Sequence, residues 1–148
     1  MRMLTCVCIE QPEKIKRLRD EYLQTLMAPM DGMWENAVIP HATFWAIQDQ
    51  EQYAGYFCID SDNELLRFHV QAAYQERAAE IFRWVISTYR IRYAITSTIE
   101  PLYFSLCSGV QSSIVLHSYL FRDDRRVALP LVLNGSVFRK AEKREWDE

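Results

Sequence analysis

The 148-residue chain reads as an α+β domain, and three observations carry that reading. Three β-rich runs, ATFWAIQ (42–48), YAGYFCI (53–59) and ELLRFHVQ (64–71), follow one another with only short polar links between them, the pattern of an antiparallel meander. Immediately after them, Ala78, Ile81, Phe82, Val85 and Tyr89 recur at helical spacing, which predicts an amphipathic helix over 74–89. With 49% hydrophobic residues, 25% charged residues and only 4 Gly, the composition is that of an ordinary globule. A chain of this length buries about two-thirds of its unfolded surface without needing staples.

The remaining elements follow in chain order. Residues 3–9 (MLTCVCI) are apolar and β-branched and open the chain as a strand. Pro12 suits the first turn of a helix over 13–27, whose Ile15, Leu18, Tyr22 and Leu26 share one face. From Ala28 to Pro40, turn formers alternate with Met30, Met33 and Trp34, giving a loop or short helix that either lines a cleft or plugs the core. In the third run of the meander, Leu66, Phe68 and Val70 point to the core. Arg67, His69 and Gln71 point the other way, to a face open to a ligand. IRYAITST (91–98) predicts another strand and PLYFSLCS a short helix opened by Pro101. Strands over 113–121 and 127–133 complete the set, with Pro130 marking the last as an edge and a possible dimer contact.

Composition narrows the function. No apolar run reaches the roughly 20 residues of a membrane helix. The formal charge of −3 gives no general attraction to a polyphosphate backbone, so neither membrane nor nucleic acid is an expected partner. Nothing like a secretory leader precedes Cys6, which predicts a cytoplasmic chain with reduced, buried thiols at Cys6, Cys8, Cys58 and Cys107. Cys6 and Cys8 lie too close for a metal knuckle, and His41, His69 and His117 are scattered singly, so no metal is expected. Hydrolase, P-loop, dinucleotide and zincin motifs do not occur.

The order of elements over residues 3 to about 133 resembles the GNAT superfamily of N-acetyltransferases. FWAIQDQEQYAGYFCI looks like that family's second and third strands, with Gly55 where the third strand usually carries glycine. RFHVQAAYQERAAEIFRWVI looks like the fourth strand running into the cofactor-binding helix, and TSTIEPLYFSLCS like the fifth strand and the helix after it. The resemblance implies a mixed, mostly antiparallel twisted sheet of about seven strands with helices on both faces. It also implies acetyl-CoA as co-substrate and a small-molecule or peptide amine as acceptor. The pantetheine arm would pair with the backbone of Phe68, His69 and Val70, and the diphosphate would sit on amides from Gln75, Glu76, Arg77, Ala78 and Ala79, at the positive end of a helix dipole. Laid on the family's phosphate motif, Gln75 matches, Ala78 adds a methyl where glycine is usual, and Glu80 brings a carboxylate that repels a diphosphate unless Arg77 offsets it.

Transfer to an amine needs an acid and a base around the thioester. Tyr103 falls where many members place a tyrosine near the acyl sulfur, though a core aromatic would look the same. Glu100 is the nearest carboxylate and a candidate base; an acid before Pro101 is also ordinary helix N-terminal chemistry. His69 is placed to shuttle protons or to serve structurally. Cys107 has no neighbour that would make it a nucleophile and reads as packing. The departures at Ala78 and Glu80 equally describe a catalytically inactive GNAT-like module that binds a ligand or a partner domain. After a GNAT-like domain over 1–134, the charged segment 135–148 (SVFRKAEKREWDE from Ser136) resembles the opening of a second GNAT unit, as in a tandem protein.

Overall fold

The structure, a computed structural model, describes residues 4–119, and every element named below lies in the unit Met1–His117. Strand β1 is Leu4–Ile9. A 3-10 turn, Pro12–Ile15, leads into helix α1, Lys16–Gln24. Two short turns, Trp34–Val38 (π-helical) and Ile39–His41 (3-10), precede β2 (Thr43–Asp49), β3 (Gln52–Ile59) and β4 (Leu65–Val70). A third 3-10 turn, Ala72–Arg77, runs into α2 (Ala78–Thr88), and α3 is Pro101–Ser108.

The four strands form one sheet in the order β1-β2-β3-β4, antiparallel throughout. Helices cover both faces. The first 3-10 turn and α1 lay Ile15, Leu18 and Tyr22 on one face, against Phe44, Tyr56 and Leu66, and Ile39 closes that core from the 34–41 segment. The segment between helix and sheet therefore plugs the core, with Met33 left outside. On the opposite face α2 and α3 pack Ile81, Phe82, Val85 and Tyr103 against Phe57, Leu65, Phe68 and Val70.

Gly55 pairs with Val70 where β3 and β4 come very close. A Cβ there would lie 2.2 Å from the His69 carbonyl oxygen and 2.9 Å from Val70 Cα, so only glycine fits.

Several expectations need correction. The alternation of β4 breaks at a bulge opposite Cys58/Ile59, which sends Leu65 to the side of Phe68 and Val70 and turns Leu66 to the other core. Nor is the polar face of β4 open: all six residues are buried, Arg67 and His69 included, because α1 lies over them. Among the described residues the sheet has four strands rather than seven. IRYAITST is not a strand; it touches β4 at a single parallel bridge, Leu65 to Ala94, with Leu65 N–H donating to Tyr93 O (3.0 Å) and Ile95 N–H to Leu65 O (2.9 Å). Beyond Ile95 the polar run bonds to itself instead: Ser97 N–H donates to the Glu100 carboxylate (2.7 Å) and Glu100 N–H to Ser97 O (3.0 Å).

Residues 113–117, expected to extend as a strand, are exposed and belong to no strand among the described residues. Residues 120–121, the 127–133 strand with Pro130, the boundary at 134 and the segment 135–148 lie outside the described residues. Of the four thiols only Cys58 is fully buried, while Cys8 is exposed on the edge strand β1. No described helix is long and apolar enough to cross a membrane.

Candidate active site

Near the point where the 91–100 segment makes its one bridge to β4, a cleft opens beside β4 and the start of α3, with about 110 Å³ of space for water. Phe68 and His69 line it from β4, and Gln75 from the turn after it. Glu100 and Tyr103 line it from the start of α3. Five of the residues singled out in the sequence thus meet at one place. Tyr22 and Thr25, at the end of α1, complete the wall with Pro101 and Leu102. α1 is held against this side by Met27 N–H donating to Ile99 O (2.9 Å).

Glu100 is 5% exposed. Burial raises its pKa above the ordinary carboxyl value, opposed by the hydroxyl of Tyr22, which donates to Oε1, and by the Ser97 amide on Oε2. A carboxyl poised upward in this way can take and return a proton nearer neutrality than a surface glutamate can. Tyr22 itself is pushed far up by burial and stays a hydroxyl donor.

His69 is also 5% exposed. Its Nε2 has no hydrogen-bond partner and faces Glu21 Oε2 at 3.9 Å, beyond bonding distance. Burial lowers the imidazole below its usual range and outweighs the opposing charge of Glu21, so the ring is neutral at physiological pH. Its walls are aromatic, Tyr22 and Tyr56 each standing 6.0 Å from the ring.

Tyr103 is wholly buried. Its hydroxyl donates to the Leu65 carbonyl (2.8 Å), its ring meets Phe82 edge-on, and burial raises its pKa well above the phenolic norm. Neighbouring Cys107 is pushed up to about 12 by burial, which keeps it a thiol and not a nucleophile.

Of the other predicted contacts, Val70 is buried beside Gly55, and Gln75, Glu76 and Ala79 are exposed. Ala78 turns its methyl into the α2 core, so the added carbon does not crowd the surface where a ligand would approach. Arg77 forks onto Glu80 (Nε–Oε2 3.1 Å, Nη2–Oε1 3.0 Å), which neutralises the carboxylate that departs from the family motif. The 3-10 turn was not foreseen. It ties the Tyr74 amide to Gln71 O (2.8 Å) and the Ala78 amide to Gln75 O.

Sequence reasoning also missed Tyr22, assigned only to the core stripe, and the buried ion pair behind it. Arg67, 1% exposed, is bonded to Glu35 of the π-helical turn and lies over the Tyr22 ring at 4.3 Å. A charged residue alternating inside β4, with an acid in the apolar-rich loop, was the available signal. Among the described residues no three His, Cys, Asp or Glu side chains converge as metal ligands would.

Among the described residues, an antiparallel four-stranded sheet with helices on both faces thus brings Tyr22, His69 and Glu100 together beside its fourth strand. The chain belongs to the GNAT acetyltransferase family, since the model of an acetyltransferase (GNAT) domain matches residues 11–124. Among solved structures, an acetyltransferase of the GNAT family from Colwellia psychrerythraea has the same fold, with a TM-score of 0.66 over 71% of this chain at 24% sequence identity. The match covers 41% of that protein, less than half of its length. No curated protein matches.

Proposed function

We propose that the protein transfers an acetyl group from acetyl-CoA to an amine in the cleft between β4 and α3. The observation that carries this reading is the meeting of His69, Glu100 and Tyr22 in one partly desolvated gap beside β4, which beyond β3 has a single bridge among the described residues. The thioester arm lies along the backbone of Phe68, His69 and Val70, and the diphosphate at Gln75–Ala79. Docking the anion there releases the Ala78 amide from the Gln75 carbonyl. Such 3-10 bonds are poorly aligned, and exchanging one for an anion contact costs about 1 kcal/mol or less.

In the reaction the acceptor ammonium first gives a proton to His69 or, through water, to Glu100. The freed amine attacks the acetyl carbonyl carbon, the new C–N bond forms, and the C–S bond breaks. The departing thiolate takes the second amine proton, directly or through a hydroxyl. Tyr103 is the acid only if its hydroxyl leaves the Leu65 carbonyl; Tyr22, already in the cleft, is the nearer donor to Glu100. The neutral form of His69 favours the role of base.

Isothermal calorimetry with acetyl-CoA tests the reading. Saturable heat at sub-millimolar cofactor is expected; absence of heat up to millimolar cofactor would leave the inactive binding module as the reading.

A further inference from the structure

The cleft contains one polar atom with an unmet requirement, and that atom points to the acceptor. His69 is buried to more than nine-tenths, lines the cleft, and leaves Nε2 without a partner. A buried imidazole nitrogen left unpaired costs free energy comparable to a lost hydrogen bond. Across from it stands Glu21 Oε2, at 3.9 Å. That separation is too long for a direct bond, yet a single nitrogen can sit about 2.8–2.9 Å from both atoms at once, at an angle of about 87°, so that two N–H groups of a tetrahedral nitrogen reach them with each bond bent by only about ten degrees.

The surroundings favour a cation at that point. Glu21 is one residue from Tyr22 on α1, and its Oε1 is turned away toward Arg17 (3.3 Å), an exposed pair of little strength. Its Oε2 receives at most a long contact from Gln71 Nε2 (3.4 Å). The Gln71 amide is better satisfied when reversed, donating to Tyr53 O (2.7 Å) and accepting from Arg17 Nη2 (2.8 Å), which leaves Oε2 without that donor. The other nearby cation, Arg67, is occupied by Glu35 and the Tyr22 ring. Glu100 adds a second carboxyl on the far side of Tyr22.

We infer that the acceptor's primary ammonium binds between His69 Nε2 and the Glu21 carboxylate, making Glu21 the residue that selects acceptors arriving as alkylammonium cations. The inference rests on the transferase reading above, but its site is occupied by the amine, not by the cofactor. The ammonium donates one N–H to each group, and the N–H on His69 is the proton that must leave before attack. A neutral hydroxyl or an anion of the same shape meets the carboxylate without compensating charge and is rejected.

The test uses the full chain, with n-butylamine as probe and n-butanol as its uncharged counterpart. Titrations are followed by the His69 imidazole signals in a 1H–15N spectrum at neutral pH. Butylammonium should shift the His69 Nε2 signal and bind at least about tenfold more tightly than butanol, the range expected for a bond to a charged group. Glu21→Gln should erase the preference, and Glu21→Asp should keep part of it. Glu21 is partly exposed, so both variants should melt near the wild-type temperature. Equal effects of butylammonium and butanol on the wild type, or an undiminished preference in Glu21→Gln, would overturn the inference. Acetyl-CoA calorimetry on the wild type reports separately: no cofactor heat with a carboxylate-dependent ammonium site refutes the transferase reading alone.

Discussion

Replacing Gly55 with alanine probes packing and function at the same point. The new Cβ would sit 2.2 Å from the His69 carbonyl oxygen and 2.9 Å from Val70 Cα, both backbone atoms with no rotamer to yield. Ordinary contact needs roughly 1 Å more, so β4 must move away from β3 at the Gly55–Val70 pair. The overpacking costs about 1–3 kcal/mol and each ladder bond that opens adds about 1 kcal/mol, for a total near 3 kcal/mol. With a urea slope of about 2 kcal/mol/M, the denaturation midpoint should fall by about 1.5 M. The displaced segment is also the proposed pairing edge for the thioester arm, so acetyl-CoA affinity should fall by about tenfold or more in protein that is still folded. A midpoint shift under about 0.3 M together with unchanged cofactor affinity would refute the argument.

The buried ion pair makes an asymmetric prediction: Glu35→Gln strands the 1%-exposed Arg67 charge and should cost about 3–5 kcal/mol, whereas Arg67→Met leaves a 21%-exposed carboxylate and should cost less, both read by urea denaturation. The reverse order would show that Arg67 reaches water. For His69, the folded pKa lies below the ordinary 6.5, so the unfolded chain binds the proton first as pH falls. His69 therefore makes stability decline below about pH 6.5, and in His69→Asn the decline should be shallower by one proton; an identical slope would contradict the assignment. Because Arg77 already neutralises Glu80, Glu80→Ala should change acetyl-CoA affinity by less than about threefold, and a large tightening in calorimetry would show that the carboxylate faces the diphosphate.

Local periodicity made most of the scaffold legible. Polar links of two to five residues fixed the β2–β3–β4 meander, and the stripes Ile15/Leu18/Tyr22 and Ala78/Ile81/Phe82/Val85 found α1 and α2 with their buried faces. What periodicity missed were the places where tertiary contacts override it. The bulge at Leu66 exchanged the faces of two leucines, because one extra residue shifts a period of two. IRYAITST has strand composition but only one described neighbour and a polar end that bonds to itself, so it stops at a single bridge. Site residues tied to local motifs, His69, Gln75, Glu100 and Tyr103, came together, whereas Tyr22, Glu21 and the Arg67–Glu35 pair depend on α1 and the 34–41 segment folding over β4, a contact between residues far apart in sequence.

The claim that an acyl-CoA lies along β4 with its diphosphate at the start of α2 is tested most directly by the backbone amide spectrum of the 15N-labelled chain titrated with CoA. The account predicts saturable shifts concentrated at Phe68, His69, Val70 and the 75–79 amides, with the Ala78 amide moving as it leaves the Gln75 carbonyl. Shifts confined to other parts of the sheet, or none at saturating CoA, would contradict it.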